Sequence, residues 1–282
     1  MQNRNQTMKN ILYYIFGLFI ISSCSPNQDE NGDFLRGIEY DTQIGGGSTT
    51  SKQLKKMETH LEDITTGTIE NHSYTYTYTG AKLVSYKDEQ GITTRLDYNT
   101  NNKISKVSNV GQTSLFEYSG SNVSKVVTTI TDLGKITSTY SFTSGKLSKT
   151  ISIQEYSVPF PLKMYIETTY QYQGENVVKS LIKSGIYDPV TGDLEMSPED
   201  QTISFTYDAK KSPYKLLPTE YILLLAGIGP QGAAYLSANN FEKVTIAVVG
   251  NPTETMTFKH DYNSENYPTK STADKEYIQY TY

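Results

Sequence analysis

One cysteine and three histidines in 282 residues confine thiol and imidazole chemistry to few positions. His60 and His72 flank Thr65-Thr66-Gly67. A hairpin symmetric about Thr66 sets the two imidazoles directly opposite, about 4.5–5.5 Å apart at Cβ. Such a pair could hold a transition metal, with Glu58 or Glu62 as a same-face neighbour. A two-residue turn at Thr66-Gly67 pairs His60 with Ser73 instead. Two ligands do not complete a site, so the expectation is an exposed polar strand pair and no bound metal. Glu195, Glu199 and Asp200 cluster in a segment that reads as a solvated loop. Glycosidase-type carboxylate pairing is spatial and is not visible in sequence. Asp29, Asn31 and Asp33 lack the twelve-residue spacing of a calcium loop. Gly227-Ile228-Gly229 lacks the third glycine and the preceding strand of a phosphate loop, and no Gly-x-Ser-x-Gly elbow occurs. No residue is assigned a catalytic, cofactor or metal role.

The first 24 residues carry the most specific signal. Arg4 and Lys9 precede Ile11–Ile21, an apolar run of eleven residues. That length suits a signal-peptide core and is too short to span a bilayer. Ile21-Ser22-Ser23-Cys24 follows and resembles a bacterial lipobox. The resemblance implies cleavage before Cys24 and a diacylglycerol on its sulfur, which removes the thiol as a nucleophile. Several acyl chains, at about 0.8 kcal/mol per buried CH₂, anchor stably. The motif is complete from Met8, an alternative start. Residues 1–23 thus read as a lipoprotein signal peptide, and residues 24–51, with Gly45-Gly46-Gly47, as a flexible tether. Asp29, Glu30 and Asp33 are similar to the acidic export signal of Bacteroidetes surface lipoproteins, although they begin later after the cysteine.

Residues 52–282 read as a repeat. Aromatic-x-aromatic triplets recur: Tyr76-Thr77-Tyr78, Phe116-Glu117-Tyr118, Tyr140-Ser141-Phe142, Tyr170-Gln171-Tyr172, Phe205-Thr206-Tyr207 and Tyr280-Thr281-Tyr282, with Leu96-Asp97-Tyr98 a variant. Each leads through Gly or Asn into apolar-x-Lys, as in Ile104-Ser105-Lys106, Val123-Ser124-Lys125, Leu147-Ser148-Lys149 and Val177-Val178-Lys179. Fixed-period self-similarity signals a repeat architecture. Alternate strand residues share a face, so the two aromatics of a triplet face one way and the polar residue between them the other. Gly-containing turns punctuate the strands. The expectation is an all-β antiparallel meander of about 14–16 strands with one dry face. Strand lysines such as Lys106, Lys125 and Lys149 would blunt its edges. Leu54, Met57, Leu61 and Ile64 have helical spacing, yet the repeat register places them in a strand.

The unit resembles the YD repeat of Rhs-type surface proteins, without a regular Tyr-Asp pair. It resembles more closely a family of uncharacterised Bacteroidetes lipoproteins with drifting Tyr-rich hairpins. The features shared are Lys210-Lys211-Ser212-Pro213-Tyr214, Tyr267 to Lys270 and the terminal Tyr-x-Tyr. That family has no assigned activity, so the resemblance implies fold and location only. An insert at 216–240 interrupts the repeats. It reads as two short helices near 219–238, apolar enough to plug a curled sheet and too short to cross a membrane.

Hydrophobic residues make up 36% of the chain, mean hydropathy is -0.50, and 24 tyrosines argue against disorder. The net charge of -5 disfavours nucleic acid as a partner. Without residues 1–23, which hold two basic and no acidic residues, it becomes −7. Two functional classes remain. The first is a non-catalytic binding or structural module, anchored to the outer membrane by Cys24 and taking a glycan or protein ligand. The second is a glycan-active hydrolase with carboxylates that sequence does not pair.

Overall fold

The computed structural model describes residues 52–62, 68–158, 161–228 and 232–282. Cys24, the tether and the Thr65-Thr66-Gly67 turn lie outside them. The first half of the chain forms β1 (Lys56–Glu62), β2 (Ile69–Thr79), β3 (Lys82–Lys87), β4 (Thr93–Tyr98), β5 (Ile104–Ser108), β6 (Gln112–Ser119), β7 (Asn122–Ile130), β8 (Gly134–Thr143) and β9 (Lys146–Tyr156). The second forms β10 (Leu162–Gln173), β11 (Asn176–Tyr187), β12 (Leu194–Met196), β13 (Gln201–Lys211), β14 (Asn239–Val248), β15 (Glu254–Thr257), β16 (Lys259–Tyr262), β17 (Pro268–Ala273) and β18 (Glu276–Thr281).

Every pairing is antiparallel. β12 and β13 lie in succession along β11, so they form one interrupted stave. β15 pairs with β14 and β16 with β17, and between them the Phe258 amide donates to Glu242 O at 2.7 Å, which makes a second. The eighteen segments are therefore sixteen staves, the upper bound of the expected count. β1 pairs with both β2 and β18, which brings the meander round into a circuit. Closure changes the role of the lysines: with neighbours on both sides the staves need little edge protection. Lys106 pairs with Asp97 at 3.0 Å, Lys125 with Glu117 at 2.7 Å and Lys149 with Glu167 at 3.4 Å instead. β1 is a strand, as the repeat register required, with Met57, Thr59 and Leu61 inward and buried.

The aromatic triplets and the apolar-x-Lys motifs meet in one recurring geometry. Tyr98 opposes Ile104 while Asp97 opposes Lys106, which leaves Ser105 as an extra residue. The same bulge falls before Tyr78, Tyr118, Phe142 and Tyr172. It lets both apolar-motif ends face correctly: the apolar residue meets the ring inside, and the lysine meets the polar residue outside. Five of these second tyrosines also reach back to the preceding hairpin. Tyr98 OH donates to Leu83 O at 2.7 Å, Tyr118 OH to Ile104 O at 2.5 Å and Tyr207 OH to Val177 O at 2.5 Å. Tyr282 OH donates to Pro268 O at 2.7 Å and Tyr78 OH to Leu54 O at 2.9 Å, so these latches continue across the β18–β1 closure.

The insert fills the interior. After a 3-10 turn (Pro213–Leu216), α1 (Thr219–Ile228) and α2 (Gly232–Leu236) pack inside the wall. Tyr221, Ile222, Leu223, Leu224, Leu225 and Ala226 are all buried, which is the pattern of a helix enclosed on every side. Sheet hydroxyls satisfy the carbonyls at its C-terminal end. Tyr140 OH donates to Leu223 O at 2.9 Å, Ser138 Oγ to Gly227 O at 2.9 Å, and Ser152 Oγ to the same oxygen. A Cβ on Gly227 would lie 2.9 Å from that of Ser138, so only glycine lets the helix approach this closely. Gly227 thus serves packing, and the insert is a plug.

Candidate functional site

Register decides the fate of the two histidines. Glu62 and Ile69 are the last opposed pair of the first hairpin, so six residues join the strands. A turn symmetric about one residue needs an odd number. His60 therefore opposes Asn71, and His72 opposes Thr59. Neither the His60–His72 pair nor the His60–Ser73 pair forms. The imidazoles fall on opposite faces, with His60 outside beside Glu58 and His72 inside beside the buried Thr59 and Tyr74. Among the described residues, no group of three or more His, Cys, Asp or Glu side chains could hold a metal ion.

The same strands nevertheless build a site. The outer face of β18, β1 and β2 carries two aligned rows. Gln279, Glu58 and Ser73 form one; Tyr277, His60 and Asn71 form the other. β3 stops at Lys87 while β2 runs on to Ile69, so the ladder lacks a strand beside Ser73. Glu89, in the β3–β4 turn, takes that place: the Ser73 amide donates to its Oε2 at 3.2 Å, and His72 Nδ1 lies 3.1 Å from its Oε1. These residues line a cavity of about 300 Å³ open to solvent.

Its electrostatics are balanced internally. Lys56 Nζ donates to Glu58 Oε1 at 2.7 Å. Burial pushes the Glu89 carboxyl up, but hydrogen bonds from backbone amides and His72 outweigh it and hold the group below the usual carboxylate range. His72 Nε2 faces the Glu70 carboxylate at 3.4 Å. His60 stacks on Tyr277, with ring centroids 4.6 Å apart, and Lys270 Nζ sits 4.1 Å from the Tyr277 centroid. That ring therefore orients its neighbours rather than offering a bare stacking platform. The Asn71 Oδ1 lies 2.7 Å from His60 Nδ1. A carbonyl oxygen only accepts, so Nδ1 carries the proton and Nε2 is an acceptor.

Comparison with known proteins bears on the fold. No protein-family model matches the chain, and no curated protein matches it in sequence. Among solved structures, a porin-like protein from Bacteroides uniformis is similar over 81% of this chain and 97% of its own, with a TM-score of 0.53 and 13% identity. The Photorhabdus luminescens Tc holotoxin pore aligns over 80% of this chain and 14% of its own, at TM-score 0.29 and 10% identity. A complex of TcdB2, TccC3 and Cdc42 aligns over 80% and 12%, at TM-score 0.28 and 10% identity. At such identities the first likeness concerns the architecture alone, and the other two carry no argument.

The wall itself has its dry face inward. Rings and aliphatic side chains point to the plug, and the outer face carries charged rows such as Lys135–Glu155–Lys163, at 2.9 and 3.2 Å. Of the sequence candidates, Glu195 is exposed in β12 and Asp200 lies 3.9 Å from Lys183 Nζ, so that cluster stays at the surface. Gln279, Tyr277 and Glu89 were not singled out from sequence. Gln279 and Tyr277 lie some two hundred residues from β1, and only closure of the circuit brings them to Glu58 and His60.

Proposed function

We propose that this protein is a non-catalytic binding or structural module of the bacterial cell envelope, tethered to the outer membrane through lipid on Cys24. The observation that carries the reading is the inverted polarity of the barrel together with the lipobox. A membrane-spanning barrel turns an apolar band outward and keeps a polar lumen. Here the lumen holds a buried helical plug, and the outer wall carries Lys–Glu pairs. Such a body needs a separate device to stay at a membrane, and the segment ending in Ile21-Ser22-Ser23-Cys24 supplies one. The non-catalytic half of the reading rests on the site: its carboxylates are held by Lys56, His72 and a backbone amide rather than poised in a buried acid–base pair. The ligand would be a glycan or a protein, and nucleic acid is disfavoured by the net charge of -5.

Metabolic labelling with palmitate tests the anchor. The wild-type chain should take up label and move with the membrane fraction, and Cys24→Ala should do neither. Equal labelling of both would remove the anchor from this account.

A further inference from the structure

We infer that the groove between β18, β1 and β2 binds a neutral polyhydroxyl ligand, the hydroxyl face of a sugar, through Glu58, His60, Asn71, Ser73 and Gln279. The inference rests on the binding-module reading and names the chemistry of its ligand.

Elsewhere on the outer wall, several carboxylates are matched to lysines on the neighbouring strand. Asp97 meets Lys106, Glu117 meets Lys125, and Glu155 meets Lys135 and Lys163. In the groove, the row Gln279–Glu58–Ser73 sets an amide, a carboxylate and a hydroxyl side by side; Lys270, across from Gln279, sits over the Tyr277 ring, and no cation stands directly across from Glu58 or Ser73. The lysine that engages Glu58 comes from its own strand and takes Oε1. Oε2 is left as an acceptor. His60 donates from Nδ1 to Asn71, so in the neutral ring Nε2 is presented as an acceptor, and the same bond leaves the Asn71 amide protons as donors. Gln279 contributes both kinds of group, and Ser73 a hydroxyl. Directly opposed residues lie about 4.5–5.5 Å apart at Cβ, so donors and acceptors alternate over a few ångströms.

That mixture selects the ligand class. An anion would meet the Glu58 and Glu89 carboxylates, both already supplied with donors. An ammonium group has three donors and no acceptor, so it would leave the Asn71 and Gln279 amide protons unmatched. A metal ion finds no group of three ligating side chains among the described residues. A hydroxyl both donates and accepts, and adjacent hydroxyls on a sugar ring match alternating partners. The cavity of about 300 Å³ lies at the lower end of small-molecule sites, which suits one or two sugar rings rather than a folded partner.

The three histidines make the test compact, because the imidazole Cε1–H region of a proton–carbon spectrum then holds three signals. His260 is the internal control: its ring nitrogens bond Ser271 Oγ at 2.8 Å and Phe241 O at 3.0 Å, away from the groove. The full chain would be titrated with cellohexaose, xylohexaose, mannohexaose and chitohexaose, and in parallel with spermidine, inorganic phosphate and zinc chloride. At least one oligosaccharide should shift the His60 and His72 signals saturably and leave His260 in place. Gln279→Ala and Asn71→Ala should each weaken that titration tenfold or more, with an unmoved His260 signal reporting an intact fold. The proposal is overturned if no oligosaccharide moves the two signals, if only spermidine, phosphate or zinc does, or if the shifts survive in both variants. An oligosaccharide retained by the protein while His60 and His72 stay still overturns this site and leaves the binding-module reading standing. Shortening of an oligosaccharide during the titration overturns the non-catalytic reading, whatever the histidines do.

Discussion

The hairpins of β2 to β7 and the seam between β13 and β16 use the same tyrosine in different ways. In the hairpins, Tyr98 and Tyr118 reach the carbonyls of Leu83 and Ile104 in the hairpin before. At the seam, the insert replaces the tight turn after Tyr207, and the strands meet with two register shifts. The residue opposing Tyr207 is then Phe241, and its carbonyl accepts from His260 Nε2 at 3.0 Å. Tyr262 donates to the Asp208 carboxylate instead of that carbonyl. Asp208 Oδ1 also accepts from the amides of Lys210 at 2.9 Å and Asn240 at 3.1 Å. A latch between short hairpins can thus be built from local backbone alone. A seam carrying a long insert needs a side chain that gathers several donors.

Four measurements break or sharpen that contrast. The largest effect should come at alkaline pH, where wall and seam share a weakness. Burial raises the hydroxyl pKa of Tyr170 to about 12, and that of Tyr78 likewise to about 12 with a small contribution from Tyr98. A group whose folded pKa exceeds its unfolded value, near 10, stabilises fully below pH 10 and loses that contribution as pH rises to 12. A fully shielded tyrosine loses about 1.4 kcal/mol per pH unit in that window. Several such groups should give cooperative unfolding between pH 10 and 12, followed by circular dichroism, and Tyr170→Phe should move its midpoint upward. Gradual phenolate formation without unfolding would show that the rings are not held in a dry interior.

Next is the plug. Leu224→Ala removes a buried side chain that is 3% exposed and should cost about 2–5 kcal/mol in urea unfolding. A cost under about 1 kcal/mol would mean that the wall stands without its filling. Asp208→Ala should follow, at about 1–3 kcal/mol, because it leaves Tyr262 OH and two backbone amides without their acceptor. The single latches come last. Tyr98→Phe and Tyr118→Phe should each cost about 0.5–1.5 kcal/mol, and the double variant should match their total within about 0.5 kcal/mol. Marked non-additivity would show that latches cooperate along the rim, and the distinction between local hairpins and a collective seam would fall.

Sequence by itself determined what depends on neighbours along the chain. A strand has a two-residue period, so Phe116-Glu117-Tyr118 had to place its rings on one face and Glu117 on the other. Gly and Asn had to mark the turns, and Ile222 to Ala226, apolar all round, had to be enclosed. The bulge was half legible: apolar-x-Lys recurs, but that its middle residue is the extra one appears only when the partner strand is aligned. The tertiary structure alone decided closure, register and the groove. Closure depends on β1 meeting β18, a pairing across the whole chain with no local signature. The register of β1 on β2 hung on whether the connecting loop held an odd or even number of residues, and a shift of one sends a side chain to the other face. That single parity separated His60 from His72. A connection of six residues between Glu62 and Ile69, rather than two at Thr66-Gly67, set His60 beside Asn71, and closure then placed Tyr277 and Gln279 in the same groove.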